Sequence, residues 1–262
     1  MIGRTWIWAA LLALAPLAAR ADAPPPSAPP PPPAAYCCVA PPVWTGLYIG
    51  TNLGGAWSDP NWAFPFVESF NTAAGQSFSA STSGLLWGGQ LGLNYQFHQH
   101  FLVGAEVSYA GSRMSGFVTG PFPPAVTDQF NIDAADLFTA SGRLGVIAGQ
   151  YLFYAKGGYA SSLIEINAAN VGGTSAHASQ RLSGWLVGGG LESRVVSNII
   201  FGVEYNYINL SGDRFTGVTT GTVPGAPFNV DIGDLQTHTV VARLSILFGP
   251  HACCSEGVLG KW

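Results

Sequence analysis

Leu85, Trp87, Leu91, Leu93, Tyr95 and Phe97 all fall on odd positions, and the even positions from 88 to 96 hold Gly88, Gln90, Gly92, Asn94 and Gln96. A chain sorted with a period of two reads as an extended strand, because successive side chains leave a strand on opposite faces. The same sorting recurs along the chain and predicts eight strands, over residues 44–57, 84–98, 101–113, 136–148, 151–163, 182–195, 199–210 and 236–248. One face of each is large and apolar, while the other is small, polar or charged. In the last strand Val240, Ala242, Leu244, Ile246 and Phe248 oppose Thr239, Arg243 and Ser245. Only 9% of the residues are charged and the mean hydropathy is +0.27. Beyond the N-terminus, however, the chain lacks the run of ~18 or more apolar residues that a membrane helix needs. An apolar chain without apolar runs spreads its apolar residues along strands, as a transmembrane β-barrel does.

A soluble barrel alternates too, but with its apolar face inside. Connection lengths separate the two readings. Short turns are expected at residues 98–100, 149–150 and 196–198, and long connections at 58–83, 114–135, 164–181 and 211–235. Short turns on one side and long loops on the other are the pattern of outer-membrane barrels. The expected fold is therefore all-β, an eight-stranded antiparallel transmembrane barrel in an up-and-down meander. Its short turns and both termini face the periplasm, and its long loops face outward.

Residues 1–21 read as a signal peptide: Arg4 supplies the positive start, residues 6–19 the apolar stretch, and Ala19-Arg20-Ala21 the small-x-small cleavage pattern. An uncleaved anchor helix is the alternative, and the stretch is short for one. Residues 22–43 are Pro-rich, a composition that favours polyproline II and cannot build a core, and they read as a periplasmic tail. Residues 44–248 form the barrel, and residues 249–262 a periplasmic extension.

The barrel carries an internal repeat. Trp87, Leu93, Gly104, Glu106 and Tyr109 recur 98 positions later as Trp185, Leu191, Gly202, Glu204 and Tyr207. Gly142-Arg143-Leu144 is matched by Ala242-Arg243-Leu244. Each half thus places an inward Glu one strand before an inward Arg. Neighbouring strands lie ~4.8 Å apart, so Glu106 is expected to reach Arg143, and Glu204 to reach Arg243. Lys156 and Glu192 are expected to pair likewise. Unpaired charges in a narrow lumen would be costly, so these six residues form an expected lumen ion-pair network. The expected role is a structural plug, since side chains fill the interior of an eight-stranded barrel. The alternative is a charged constriction for ions.

The net charge of −4, with only 10 Lys and Arg, leaves no footprint for nucleic acid. No cofactor or metal site is expected. The five histidines are poorly placed for catalysis. His98 and His100 fall in a periplasmic turn, His251 in the tail and His238 on the outward face; His177, in a long loop near Ser175, has no acid in phase. Aromatic residues at strand ends are expected to form interfacial girdles, with Trp44, Phe97, Phe101, Tyr151 and Phe248 on the periplasmic side. Trp57, Trp87, Tyr109, Tyr159, Trp185 and Tyr207 would form the outer girdle.

Two adjacent cysteine pairs, Cys37-Cys38 and Cys253-Cys254, flank the barrel. The first and last strands pair to close it, so both tails emerge side by side into an oxidising periplasm. A disulfide stapling the tails across the seam is one expectation. Disulfides to another chain, or a thiolate metal site assisted by His251, are the alternatives, although adjacent cysteines do not have zinc-site spacing.

Trp44-Thr45-Gly46-Leu47-Tyr48-Ile49-Gly50 resembles the opening strand of the alphaproteobacterial small outer-membrane immunogenic proteins, a porin-like β-barrel family. The run from Gly88 to Phe97, the Gly104-x-Glu106 strand and the closing Ala242-Arg243-Leu244 strand are similar as well. The resemblance implies an abundant surface-exposed envelope protein, with outer-membrane lipid, lipopolysaccharide and the barrel-assembly machinery as its partners and no family-wide enzymatic activity. Self-association is left open. The family usually stops at an aromatic closing strand, as Phe248 would; the residues beyond it depart from that pattern. Two function classes follow: a structural envelope barrel with at most a narrow pore, and a loop-mediated surface binder, for adhesion or a small ligand such as haem.

Overall fold

The computed structural model describes residues 43–59, 61–64, 76–79, 81–119, 129–170, 172–196 and 198–249. The signal segment, the Pro-rich tail and the four cysteines, with their expected staple, lie outside the described residues. The strands are β1 (Gly46–Ser58), β2 (Asn61–Phe64), β3 (Gln76–Ser79), β4 (Thr82–His98), β5 (Phe101–Thr119), β6 (Gln129–Ala148), β7 (Tyr151–Ala169), β8 (Thr174–Arg194), β9 (Ile199–Leu210), β10 (Asp213–Gly221), β11 (Pro227–Ile232) and β12 (Leu235–Phe248).

Eight of these close a ring in the order β1-β4-β5-β6-β7-β8-β9-β12, every pairing antiparallel. β12 returns to β1 along a ladder from Leu47↔Phe248 to Ser58↔Thr237. They correspond to the eight predicted strands. Their odd–even sorting turns Leu93, Phe97 and Leu144 outward, at 58%, 58% and 66% exposure. Such a surface is a liability in water but suits hydrocarbon. From Leu47 to Trp57, a rise of ~3.3 Å per residue and a tilt of ~40° give a band about 25 Å tall, the thickness that outer-membrane barrels present.

The expected long loops are largely strand instead. β5, β6, β7 and β8 run 19, 20, 19 and 21 residues, whereas β1 and β9 stop at 13 and 12. The β7–β8 ladder continues to Ala169↔Ser175, so only a tight turn remains of the connection expected over 164–181. In place of the 211–235 loop stand β10 and β11. β10 docks on the upper part of β8 through Val218↔His177, and β11 pairs with β10 and with β2. This upper assembly, the crown, forms because alternation continues with smaller residues. Ile164, Ile166, Ala168, Ala176, Ala178 and Leu182 point inward and bury against Phe215, Phe228 and Val230.

β6 changes phase as it leaves the membrane. Its register shifts against β5 between Gly111 and Met114, and against β7 between Ala134 and Phe138. Below the shift Thr139, Ser141 and Arg143 are buried; above it Phe130 and Ile132 are. A bulge of this kind flips every later side chain to the other face. Asp136, which shares the sequence parity of Phe138, is consequently buried in the wall. Its carboxylate accepts a 2.8 Å hydrogen bond from Leu163 N–H and one of 2.8 Å from Arg181 Nη2.

Candidate functional site

The lumen has three tiers. At the periplasmic mouth, Trp44, Tyr48, Leu102, Ile147, Leu152, Tyr154, Ile200 and Leu247 form an apolar cap. Trp44 is fully buried there, which corrects its expected place in the outward girdle. Trp44 has the even parity of Tyr48 and Asn52, which is the inward one. Its backbone N–H donates to Gln96 Oε1 at 2.9 Å, and Arg194 donates to Val43 O at 2.7 Å with its guanidinium 5.8 Å from the Trp44 ring. Of the other girdle residues, Phe97, Phe101, Tyr151, Phe248, Trp57, Trp87, Tyr109, Tyr159 and Trp185 are exposed as expected, whereas Tyr207 is half-buried, its ring against Trp185 and His238.

Above the cap lies a layer of charge. Six consecutive strands, from β5 round to β12, contribute Glu106, Arg143, Lys156, Glu192, Glu204 and Arg243, all buried. Lys156 Nζ lies 3.1 Å from Glu106 Oε1 and 2.8 Å from Glu204 Oε1, and so bridges two acids. Arg243 contacts the same two acids through its terminal nitrogens, with its Nε 3.6 Å from Glu192 Oε1. Arg143 Nη1 is 3.1 Å from Glu192 and 4.0 Å from Glu106.

The pattern of partners differs from the sequence expectation in one pair. Glu106–Arg143 and Glu204–Arg243 contacts are both present, each on adjacent strands and two positions off register. Lys156, however, lies opposite Gly188, and Glu192 opposite Leu152, four positions away on the ladder. Lys156 therefore turns across the lumen to Glu106 and Glu204, and Glu192 turns to the two arginines. Reading neighbours along one ladder misses such contacts, because a narrow barrel also brings non-adjacent strands together.

Two tyrosines complete the layer, and sequence reasoning did not single them out. Tyr48 Oη donates to Glu106 Oε2 at 2.6 Å, and Tyr154 Oη to Glu204 Oε2 at 2.6 Å. The Arg143 guanidinium lies between their rings, 4.5 Å from one centroid and 5.1 Å from the other. Asn94 Oδ1 accepts from Arg143 Nε and Nη2 at 2.9 and 2.7 Å. The phase signal was available, since both tyrosines have inward parity. Their rings also need the glycines they lie over: a Cβ on Gly92 would collide with Tyr48, and one on Gly190 with Tyr154. Those two glycines are themselves repeat partners.

The third tier is the apolar crown core, with Phe215, Phe228 and Val230 fully buried. Between the tiers are two cavities of about 30 Å³ each, room for a water or two. The lower one is lined by Thr139 and Asn206, and Thr139 Oγ1 and Asn206 Oδ1 have no protein partner. Of the histidines, His177 bonds Asn167 at 2.8 Å on the outer crown, and His238 stacks on Trp57 and bonds Tyr205.

A closed antiparallel ring, an apolar belt with aromatic rims and a charged interior define a transmembrane β-barrel. The chain belongs to the outer membrane protein beta-barrel domain family, which matches residues 32–244, and resides in the bacterial outer membrane. It is 29% identical over 173 residues to the 31 kDa outer-membrane immunogenic protein of Brucella melitensis, covering 64% of this chain and 71% of that protein. The Brucella suis protein of the same description matches equally. Among solved structures, OprG of Pseudomonas aeruginosa is 15% identical, with a TM-score of 0.47, covering 78% of this chain and 97% of its own. Ail of Yersinia pestis is 12% identical, with a TM-score of 0.36, covering 77% and 99%.

Proposed function

We propose that this surface-exposed outer-membrane protein is a structural barrel with a sealed lumen. The observation that carries the proposal is the interlocked charge layer. Each acid contacts two or more cations, and each cation two or more acids. A permeating ion would have to break several buried pairs at once, each costly to open. The apolar cap below and the crown core above support the same reading. The charged-constriction alternative needs a continuous aqueous path, and the lumen cavities of about 30 Å³ are too small to supply one. No catalytic role is part of this reading.

Purified protein in planar bilayers tests it. The expected result is no stable unitary conductance, for the parent and for Trp44→Ala alike, because the charge layer remains when the cap is opened. Steady ohmic steps in the parent protein would overturn the sealed-barrel reading.

A further inference from the structure

The outward face of the crown carries a groove that the sealed-barrel reading does not use. Two ladder rows cross four strands: Asn131, Asn167, His177 and Val218 in one, and Gln129, Ala169, Ser175 and Thr220 in the next. Together they line a concavity of about 480 Å³, within the range of small-ligand sites. Among the described residues, no Asp, Glu, Lys or Arg lines it. Carboxamides, hydroxyls and one imidazole offer donors and acceptors. Val218, 60% exposed, and Ala169 add a small apolar patch. That is the chemistry of a surface for a neutral polyol: amides and hydroxyls for its O–H groups, aliphatic carbon for its C–H face.

Height and direction identify which polyol. These side chains have outward parity, so the groove opens sideways, away from the barrel axis. His177 stands eight residues above the girdle residue Trp185 on β8. At ~3.3 Å per residue and a tilt of ~40°, that is about 20 Å above the acyl boundary. Between belt and groove come cations. Arg113 is four residues above Tyr109 on β5, and Arg181 four above Trp185 on β8, both exposed. Arg181 keeps one face on Asp136 at 2.8 Å with its side chain 48% exposed. Upward along the wall, the protein therefore presents apolar belt, aromatic rim, arginines and a neutral polar groove. An outer leaflet of glycolipid presents acyl chains, phosphates and sugars in the same order.

We infer that the β6–β7–β8–β10 groove is a lateral binding site for the saccharide portion of outer-leaflet lipopolysaccharide, with Arg113 and Arg181 at the phosphate level beneath it. The inference does not depend on whether the lumen conducts.

The test uses the full-length protein in phosphatidylcholine nanodiscs, titrated with two purified lipopolysaccharides. One bears a complete core oligosaccharide, and the other is truncated to its innermost acidic sugars. Tighter binding of the complete form is expected, by about tenfold, as a few net hydrogen bonds would give. Asn131→Ala/Asn167→Ala should abolish that preference and leave binding of the truncated form unchanged. Thr220→Trp, which fills the groove, should do the same. Arg113→Ala/Arg181→Ala should weaken both forms equally. Each variant is first checked for the heat-dependent gel shift of a closed barrel. Equal affinity of the parent for the two forms overturns the inference, as does a preference that survives the groove substitutions. Free core oligosaccharide binding as tightly as the intact glycolipid would also overturn it, since the site would then serve soluble glycans.

Discussion

The lower and upper halves of the lumen share β6, β7 and β8 and are built by opposite means. In the membrane, β5 to β12 face one another with Glu106, Arg143, Lys156, Glu192, Glu204 and Arg243. A few residues higher, β6 to β11 face one another with Phe130, Ile164, Leu182, Phe215 and Phe228. Lipid explains the first arrangement. Where hydrocarbon covers the outside, apolar side chains go outward, and the interior is left to small, polar and charged groups. Above the leaflet the outside is wet, so the same strands reverse their sorting and bury apolar residues, as a soluble β-sheet does. The bulge near Asp136 is where β6 makes that reversal. The barrel thus carries a soluble-type core on a membrane-type base, and the two should fail differently.

The largest separation is expected from Arg243→Met. It strands Glu106 and Glu204 without their shared arginine and should cost about 4 kcal/mol, the loss seen when one partner of a buried pair is removed. Urea unfolding in detergent micelles measures this. Simultaneous replacement of all six charges by apolar residues of similar volume should recover most of the loss, because no charge is then left unpaired. A single variant as stable as the parent would show that the layer is not interlocked. Phe228→Ala should cost the crown about 3 kcal/mol through cavity formation, yet leave the heat-dependent gel shift intact. Limited proteolysis should find new cuts in the crown alone. If the barrel loses its shift as well, the halves are one cooperative unit. Tyr48→Phe, which removes a hydrogen bond to a buried carboxylate, should cost about 2 kcal/mol and act only on the barrel transition.

The smallest effect is expected at the crown surface. The Arg214 guanidinium, hydrogen-bonded to Asp231 at 2.6 and 2.9 Å, holds that carboxyl below its usual value. A depressed acid contributes stability above its unfolded value of about 4 and loses it as pH falls through the lower folded value. Exposed pairs contribute little. Asp231→Asn should leave crown proteolysis at neutral pH unchanged and remove only a slight acid sensitivity below about pH 4.

The sequence already displayed the ring. Eight segments of large alternating residues, with turns such as Gly149-Gln150 between them, determine strand number, topology and lumen parity. The crown was hidden because its inward residues are smaller: Ala168, Ala176 and Ala178 alternate with Ala169, Ser175 and His177, a contrast too faint to separate from loop composition. The change of phase at Asp136 was not legible, because a bulge leaves no mark on parity until its far side is known. Trp44 was misread because an aromatic at a strand end fits both a girdle and a cap. Among the charges, the adjacent-strand contacts followed from spacing, whereas Lys156 reaching Glu106 and Glu204 depends on the bore of the closed ring.

The charge layer has a consequence for how the chain is put together. Until β12 arrives, the preceding strands hold three acids against two bases, and the arginine that Glu106, Glu192 and Glu204 share is missing. Arg243 is thus a proofreading element. A seam closed two residues out of step would keep Arg243 beside Glu204 on the neighbouring β9 but shift Glu106, carried on the β1 side of the seam, out of its reach, and the chain would register the error as a broken pair in the middle of the membrane.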